Sequence, residues 1–506
     1  MSVNCLLFFG NDVIPSLLKS AGPFRLATEL RSAGFSTQCV DIGPLRTVDK
    51  LDLYQKIIDK FVGKDTLWLG ISTTFFEKIL GIPIQRISLQ DDVISEKVFE
   101  LGFLKNILDM CREKNPKIKF IIGGGFYFNL HAYDFYHFRG NADRELVEFT
   151  KWCADDNYNP KIKRLGKIIE CDKDYVNFHK STIKWEKQDI INPNDVLPIE
   201  IARGCIFKCK FCNFPLTGKT KGDWIKNYDV LLEELIYNYE NFGTTKYMFA
   251  DDTYNDSVEK ITGLYENVYS KLPFKLEFTT YLRLDLLHRF PHTAEILKES
   301  GLKATMFGIE TNNPVSAKAI GKGLDFNKQM DLLRELKQTH FKDIVTHSGF
   351  ILGLPGDTIE SMNNLNKTLM DPNQGALDNW IFKALALNPK ELSWQKQYFS
   401  VFDLEHEKYG YQMIEEDIYH PRIIKWKNNK NGLSYDICDD MITNFNKDID
   451  TAQHYKIGGY VYSRLSNIID GDELRSSSSI DIRKKYNVNN LTKIWINNYY
   501  RSVLDI

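Results

Sequence analysis

Short apolar runs alternate with stretches in which apolar residues return every three or four positions, and the alternation begins near the N-terminus. It predicts strands over 4–9, 36–41, 67–72 and 117–122, with helices over 22–33, 51–61 and 96–112 between them. Strands separated by helices in this way predict an α/β, Rossmann-like, doubly wound parallel sheet spanning residues 1–155. Gly123-Gly124-Gly125 directly follows one of these strands and suits a tight turn or a close backbone approach. Over 156–195 the pattern turns polar, with Asn157-Tyr158-Asn159-Pro160 and Asn192-Pro193-Asn194-Asp195, and predicts a linker with local structure.

A second alternation then predicts strands over 197–202, 246–250, 275–282, 303–308, 344–352 and 379–385. The intervening helices are predicted over 229–239, 258–272, 293–300, 328–338 and 359–370, and Leu231, Leu232, Leu235 and Ile236 have helical apolar spacing. Right-handed crossovers curl such a chain into an open (β/α)6 partial TIM barrel, here residues 196–390, with functional residues at the C-terminal strand ends. Residues 391–506 are less regular and read as a mostly helical C-terminal extension, with helices over 435–444 and 488–498 and a flexible turn at the serines of 476–479.

With 506 residues the chain exceeds one ordinary core. Lys+Arg 65 against Asp+Glu 67 gives a net charge of −2, which provides no global footprint for nucleic acid. The most basic aromatic stretch, Pro421-Arg422-Ile423-Ile424-Lys425-Trp426-Lys427, reads as a solvated helix or loop face. No apolar run reaches membrane-span length and no basic region precedes the first one, so the expectation is a cytoplasmic protein with no membrane partner. A reducing compartment also suits its nine cysteines.

Three of those cysteines stand together in Arg203-Gly204-Cys205-Ile206-Phe207-Lys208-Cys209-Lys210-Phe211-Cys212. Three soft ligands on one loop can hold three corners of a [4Fe–4S] cluster and leave the fourth iron open. A structural zinc site draws four ligands, and no His or Cys closely follows Cys212. Further polar residues follow the later strands. Asp251 and Asp252 put a carboxylate pair at the barrel mouth, for a ligand, for a divalent metal or for capping the next helix. Arg283 suits a bidentate carboxylate clamp or an ion pair with Asp285. Glu310 ends the fourth strand, and the run from Gly349 to Gly356 combines an apolar wall with glycines that admit a flat ring.

This series resembles the core of the radical S-adenosylmethionine (SAM) superfamily, of the methyltransferase and methylthiotransferase type, over roughly 196–390. The resemblance implies that Cys205, Cys209 and Cys212 bind a [4Fe–4S] cluster whose fourth iron takes the amino and carboxylate groups of SAM. It further implies Asp251 or Asp252 at the α-ammonium, Arg283 at the carboxylate and Glu310 at the ribose. Adenine falls to the backbone around Phe211, Ile351 and Gly353. One electron, from a reducing partner such as flavodoxin or ferredoxin, then cleaves SAM to a 5′-deoxyadenosyl radical that attacks a substrate. No catalytic residue or substrate is singled out.

Gly22-Pro23-Phe24-Arg25-Leu26-Ala27, Gly70-Ile71-Ser72 and Gly140-Asn141-Ala142-Asp143-Arg144-Glu145-Leu146 look like landmarks of the cobalamin-binding domain that precedes many such cores. There is no D-x-H-x-x-G motif to ligate cobalt, so bound cobalamin and a retained but empty domain both stay open. A second cluster on Cys5, Cys39 and Cys111 is not expected, because Cys5 lies inside an apolar strand. The readings left standing are cobalamin-dependent methyl transfer, a cobalamin-free epimerase or rearrangement enzyme, and a non-catalytic iron–sulfur or zinc module.

Overall fold

The computed structural model describes residues 2–10, 18–43, 51–73, 101–124, 135–171, 178–212, 214, 216–387, 400–420 and 423–506. The first α/β unit contains β1 (Cys5–Phe9), β2 (Thr37–Asp41), β3 (Trp68–Ser72), β4 (Lys119–Gly123) and β5 (Tyr136–Arg139). β6 (Lys163–Leu165) and β7 (Ile168–Glu170) extend it, in the order β2-β1-β3-β4-β5-β7-β6. All neighbours are parallel except β6 and β7. Residues 163–170, expected within a linker, are thus an antiparallel edge of this sheet. The order of its first five strands reverses between β1 and β3, the crevice position of flavodoxin-like sheets. The helix Leu101–Lys114 is present; the start of the expected helix at 96–100, and Gly125, lie outside the described residues.

Continuous apolar runs bury both faces of this sheet. Cys5, Leu7 and Phe9 face one core with Phe24 and Trp185, while Leu6 and Phe8 face the other with Tyr54 and Ile57. Cys5, Cys39 and Cys111 are buried core residues, and burial pushes Cys111 up to about 12.

The second unit is a parallel sheet of six strands in sequential order: β8 (Val196–Glu200), β9 (Lys246–Ala250), β10 (Glu277–Leu282), β11 (Leu302–Glu310), β12 (Val345–Leu352) and β13 (Asn379–Ala384). Its outer side, including Phe249, Phe278, Phe307 and Phe350, packs with Leu264, Leu287 and Leu333 of the surrounding helices. Strand registers bring Thr279, Ala304 and Val345 to one level of the inner side, then Tyr281, Met306 and His347, then Gly308 and Gly349.

The extension closes the lower end of this barrel. Ala304 and Val345 pack with Tyr462 and Leu465 of the helix Gly459–Leu465, and Thr279 Oγ1 lies 2.7 Å from Ser463 Oγ. His347 in this floor is hydrogen-bonded to Asn379, and burial lowers its pKa to about 4, which keeps it neutral. The final helix, Val488–Asp505, returns to the first sheet and buries Tyr499, Tyr500 and Val503 against Tyr54 and Ile57. Tyr499 Oη accepts from Asp41 N–H at 3.0 Å, and the Tyr500 hydroxyl donates to Asp41 O at 2.6 Å.

Two expectations for the extension are corrected. The basic stretch is a strand and not a helix or loop: β14 (Tyr411–His420) pairs antiparallel with β15 (Ile423–Asn428), and between half-buried Lys425 and exposed Lys427, Trp426 is fully buried with its indole N–H on Leu385 O. Pro421 and Arg422 lie outside the described residues. The serines of 476–479 are no flexible turn, since Ser478 caps the helix Ser479–Lys485 by accepting from Asp481 N–H. Among the described residues, no helix is long and apolar enough to cross a membrane.

Candidate active site

Beyond β8 the chain bridges Ala202 to Ile225 and enters the cysteine loop. Gly204 turns with φ +78°, and a Cβ there would stand 2.4 Å from the backbone oxygen of Leu216, so the two arms of the loop touch at a residue without a side chain. Cys205 N–H donates to Leu216 O at 2.8 Å and Gly218 N–H to Cys205 O at 2.7 Å. Lys210 ties the loop outward, donating to Ile320 O and accepting from Phe402 N–H, each at 3.1 Å. Cys209 and Cys212 are joined by a 3.0 Å turn bond.

All three thiols are free and half-buried. Burial pushes Cys205 up, against hydrogen bonds from Thr253 and Phe207, and pushes Cys212 up to about 11. Among the described residues, no three His, Cys, Asp or Glu side chains converge on one ion position. Three thiols on one loop at C-x3-C-x2-C spacing are a donor set that fits three corners of an iron–sulfur cluster.

The carboxylate pair divides its labour. Asp251 is buried beneath the loop, where its Oδ2 lies 2.6 Å from Lys260 Nζ and its Oδ1 accepts from Thr253 N–H at 3.0 Å. Lys260 also lies 3.4 Å from Asp256, so one buried ammonium serves two carboxylates. Asp251 is thus a structural anchor, and Asp252 is the member turned toward the cysteines. It accepts from Gly204 N–H, and burial together with the neighbouring Asp251 pushes its carboxyl up to about 6. Thr253 was missed in the sequence: its Oγ1 lies 3.0 Å from Cys205 Sγ. Nothing in a lone threonine after two aspartates signals this contact.

Arg283, at the end of β10, does not present a free fork. Its Nε and Nη2 bind Asp285 at 2.9 and 2.6 Å, so the ion pair is formed and the bidentate clamp for a ligand carboxylate is not available in this arrangement. The remaining Nη1 points to Cys209 Sγ at 3.6 Å, and Asn255 brackets the backbone of Arg283 with two hydrogen bonds.

Glu310 sits at a register shift between β11 and β12 with φ +73°, a left-handed conformation rarely held by glutamate. Burial pushes its carboxyl up against the pull of Lys322, whose Nζ is 3.9 Å away and donates to Gly308 O. Ile351 and Phe211 are half-buried near the rim. Gly353 is not open to a ring by its backbone: its N–H goes to Asp357 at 3.1 Å and its carbonyl accepts from Tyr411 at 2.7 Å. Its φ of +86° and the 2.5 Å approach of Trp426 to a notional Cβ explain the glycine through packing against the hairpin.

Residues 199–369 match the family model of the Radical SAM superfamily. An uncharacterized methyltransferase of Pyrococcus horikoshii is 26% identical over 163 residues, covering 32% of this chain and 34% of that protein. The hopanoid C-2 methylase of Rhodopseudomonas palustris is 27% identical over 167 residues, covering 32% of this chain and 31% of the methylase. The matched stretch thus spans about a third of the length of these curated relatives. Among solved structures, the radical S-adenosylmethionine methyltransferase TsrM from Kitasatospora setae, with cobalamin and a [4Fe–4S] cluster bound, superposes with a TM-score of 0.63. It covers 96% of this chain and 100% of TsrM at 14% identity, a likeness of fold.

Proposed function

We propose that this chain, whose residues 199–369 match the family model of the Radical SAM superfamily, is a radical SAM enzyme that cleaves SAM reductively and modifies a substrate, by cobalamin-dependent methyl transfer in the leading reading. The observation that carries the reading is the cysteine loop itself: three half-buried free thiols on one loop, beyond the end of the first of six parallel strands. Cys205, Cys209 and Cys212 hold the cluster, which together with SAM supplies one-electron cleavage of a carbon–sulfur bond.

The surrounding residues orient and insulate. Arg283 offers an N–H to Cys209, which stabilises thiolate charge, and Thr253 Oγ1, which donates to Asp252 O at 2.7 Å, lies 3.0 Å from Cys205 Sγ. Asp252 receives the α-ammonium of SAM, Glu310 the ribose, and the backbone at Phe211 with the side chain of Ile351 the adenine. Because Asp285 occupies the fork of Arg283, this guanidinium would not clamp the SAM carboxylate in the present arrangement. The electron comes from a low-potential protein such as flavodoxin or ferredoxin in the cytoplasm.

Cobalamin is assigned to the crevice between the C-terminal ends of β1 and β3, where flavodoxin-like sheets bind ligands. The methyltransferase relatives and the TsrM fold support this over a cobalamin-free rearrangement enzyme. The test is anaerobic reconstitution with iron and sulfide, then dithionite and SAM, with chromatography for 5′-deoxyadenosine and S-adenosylhomocysteine. 5′-Deoxyadenosine that vanishes in Cys209→Ala is expected, and S-adenosylhomocysteine only with added cobalamin marks methyl transfer. A loaded cluster with neither product, over a panel of candidate substrates, favours the non-catalytic module.

A further inference from the structure

Two residues ahead of Cys205, Arg203 is held in a seam between the two α/β units. Its Nε and Nη2 bind Glu200 at the end of β8, at 2.9 and 3.0 Å. Its guanidinium lies 4.9 Å from the ring centroid of Phe178, and its buried Nη1 has no hydrogen-bond partner. Across the seam stands Asp143, in the turn before the helix Glu145–Ala154. Its Oδ1 is 3.9 Å from Arg203 Nη2 and 3.4 Å from Arg25 Nε. Arg25 is itself fixed by Glu29 at 2.6 Å and by Ser181 at 2.5 Å.

We infer that Asp143 is a positioning residue for the cysteine loop, through which the first unit sets the pose of Cys205; this rests on the cluster reading above. Each guanidinium has its own carboxylate, Glu200 for Arg203 and Glu29 for Arg25, and Asp143 is the carboxylate that lies between the two, where it further offsets their mutual repulsion. Without that charge Arg203 turns toward its open side. The next residue, Gly204, has the backbone freedom to follow, and it carries the N–H bonded to Asp252. The displacement therefore reaches both the first thiol and the carboxylate beside it.

The experiment compares the full-length wild type with Asp143→Asn, Asp143→Glu and Phe178→Leu, each reconstituted anaerobically. The readouts are iron and sulfide content, the electron paramagnetic resonance spectrum of the dithionite-reduced cluster with and without SAM, and the rate of 5′-deoxyadenosine formation. Asp143→Asn is expected to keep its iron, to change the SAM-dependent spectrum and to slow cleavage about ten-fold, less than the roughly hundred-fold cost of a full 1 Å misplacement. Asp143→Glu restores most of the rate. Should Asp143→Asn lose iron through misfolding, Phe178→Leu, which leaves every charge in place, is expected to give the same spectral change. A wild-type spectrum and rate in a loaded Asp143→Asn, or in Phe178→Leu where the first cannot be loaded, overturns the inference. A wild-type chain that takes up no cluster brings down the cluster reading and this inference together, whereas a loaded wild type matched by its variants brings down this one alone.

Discussion

The guanidinium carbon of Arg283 lies 3.7 Å from the ring centroid of Phe207, so the arginine at the end of β10 is stacked on the cysteine loop while its Nη1 reaches Cys209. Stacking and a charge-assisted contact to sulfur act on the same loop from one side chain. Arg283→Lys keeps the charge but loses the planar fork to Asp285 and the stack on Phe207. We predict a cluster that still assembles and a rate of 5′-deoxyadenosine formation lowered roughly ten-fold. Unchanged turnover at matched iron content would remove Arg283 from the site.

Gly204→Ala tests the loop's geometry directly. A methyl group at φ +78° meets the Leu216 backbone at 2.4 Å, and that backbone cannot swing away as a side-chain tip does. The strained conformation alone costs about 1–2 kcal/mol, and the overlap adds to it. Iron content after reconstitution is expected to fall several-fold while the far-ultraviolet circular dichroism is kept. An alanine variant that loads like the wild type contradicts this geometry.

Lys260→Met leaves Asp251 and Asp256 without the buried ammonium that contacts both, and with the charge of Lys219 still acting on them. Removing one partner of a buried pair typically costs about 3–5 kcal/mol. A fall in melting temperature of several degrees is expected at pH 7.5, together with poorer cluster loading because Asp251 anchors Thr253. Lys260→Arg restores charge without fitting the cavity and recovers only part of the loss. Wild-type melting of Lys260→Met is the opposing result.

The turn that follows β12 carries its own pH signature. Asp357 accepts from Gly353 and Leu354 N–H and from the Ser316 hydroxyl at 2.6 Å, yet burial pushes its carboxyl up to about 6. A raised folded-state pKa means that the ionised form opposes folding. The cost is full above pH about 6 and fades as pH falls toward the unfolded value near 4. Asparagine can accept from both backbone N–H groups and donate to Ser316. Asp357→Asn is therefore predicted to be more stable than the wild type at pH 7.5, by up to about 3 kcal/mol, with the gap narrowing to about 1 kcal/mol by pH 4.5. Urea titrations across that range decide it; a gap that widens on acidification reverses the sign and the argument.

The barrel was readable in the chain because its strands are fully buried on the outer side and end in punctuating polar residues. The expected strand over 246–250 coincides with Lys246–Ala250, and the strand over 379–385 differs from Asn379–Ala384 by one residue. The hairpin was not readable. In Ile424-Lys425-Trp426-Lys427 a period-two alternation does exist, but two lysines in four residues look like a wet surface. Only the long-range contact with Gly353 shows that Trp426 is core. The capped helix after Ser478 carried a local sign, Ser478-Ser479-Ile480-Asp481, the spacing of a capping box, which the serine-rich composition obscured. In the site, residue types at strand ends pointed to the right neighbourhood. Which carboxylate faces the thiols, and that Asp285 takes the fork of Arg283, depend on side-chain partners that a linear pattern does not contain.

In mechanical terms the final helix is a tie-bar. Trp495 touches the cluster of side chains beneath the barrel as well as the outer core of the first sheet, and Tyr499, Tyr500 and Val503 are embedded in the latter. A chain that starts in one sheet, passes through a barrel and fastens back onto that sheet forms a braced frame, and a braced frame resists swinging about a single joint. Prying the first sheet from the barrel floor means withdrawing three embedded side chains, about 5 kcal/mol at roughly 1.5–3 kcal/mol each, so a splayed frame is populated on the order of once in several thousand molecules. Small sliding displacements across the Asp143–Arg203 seam escape that toll, which makes shear the low-energy mode by which the two halves feel each other.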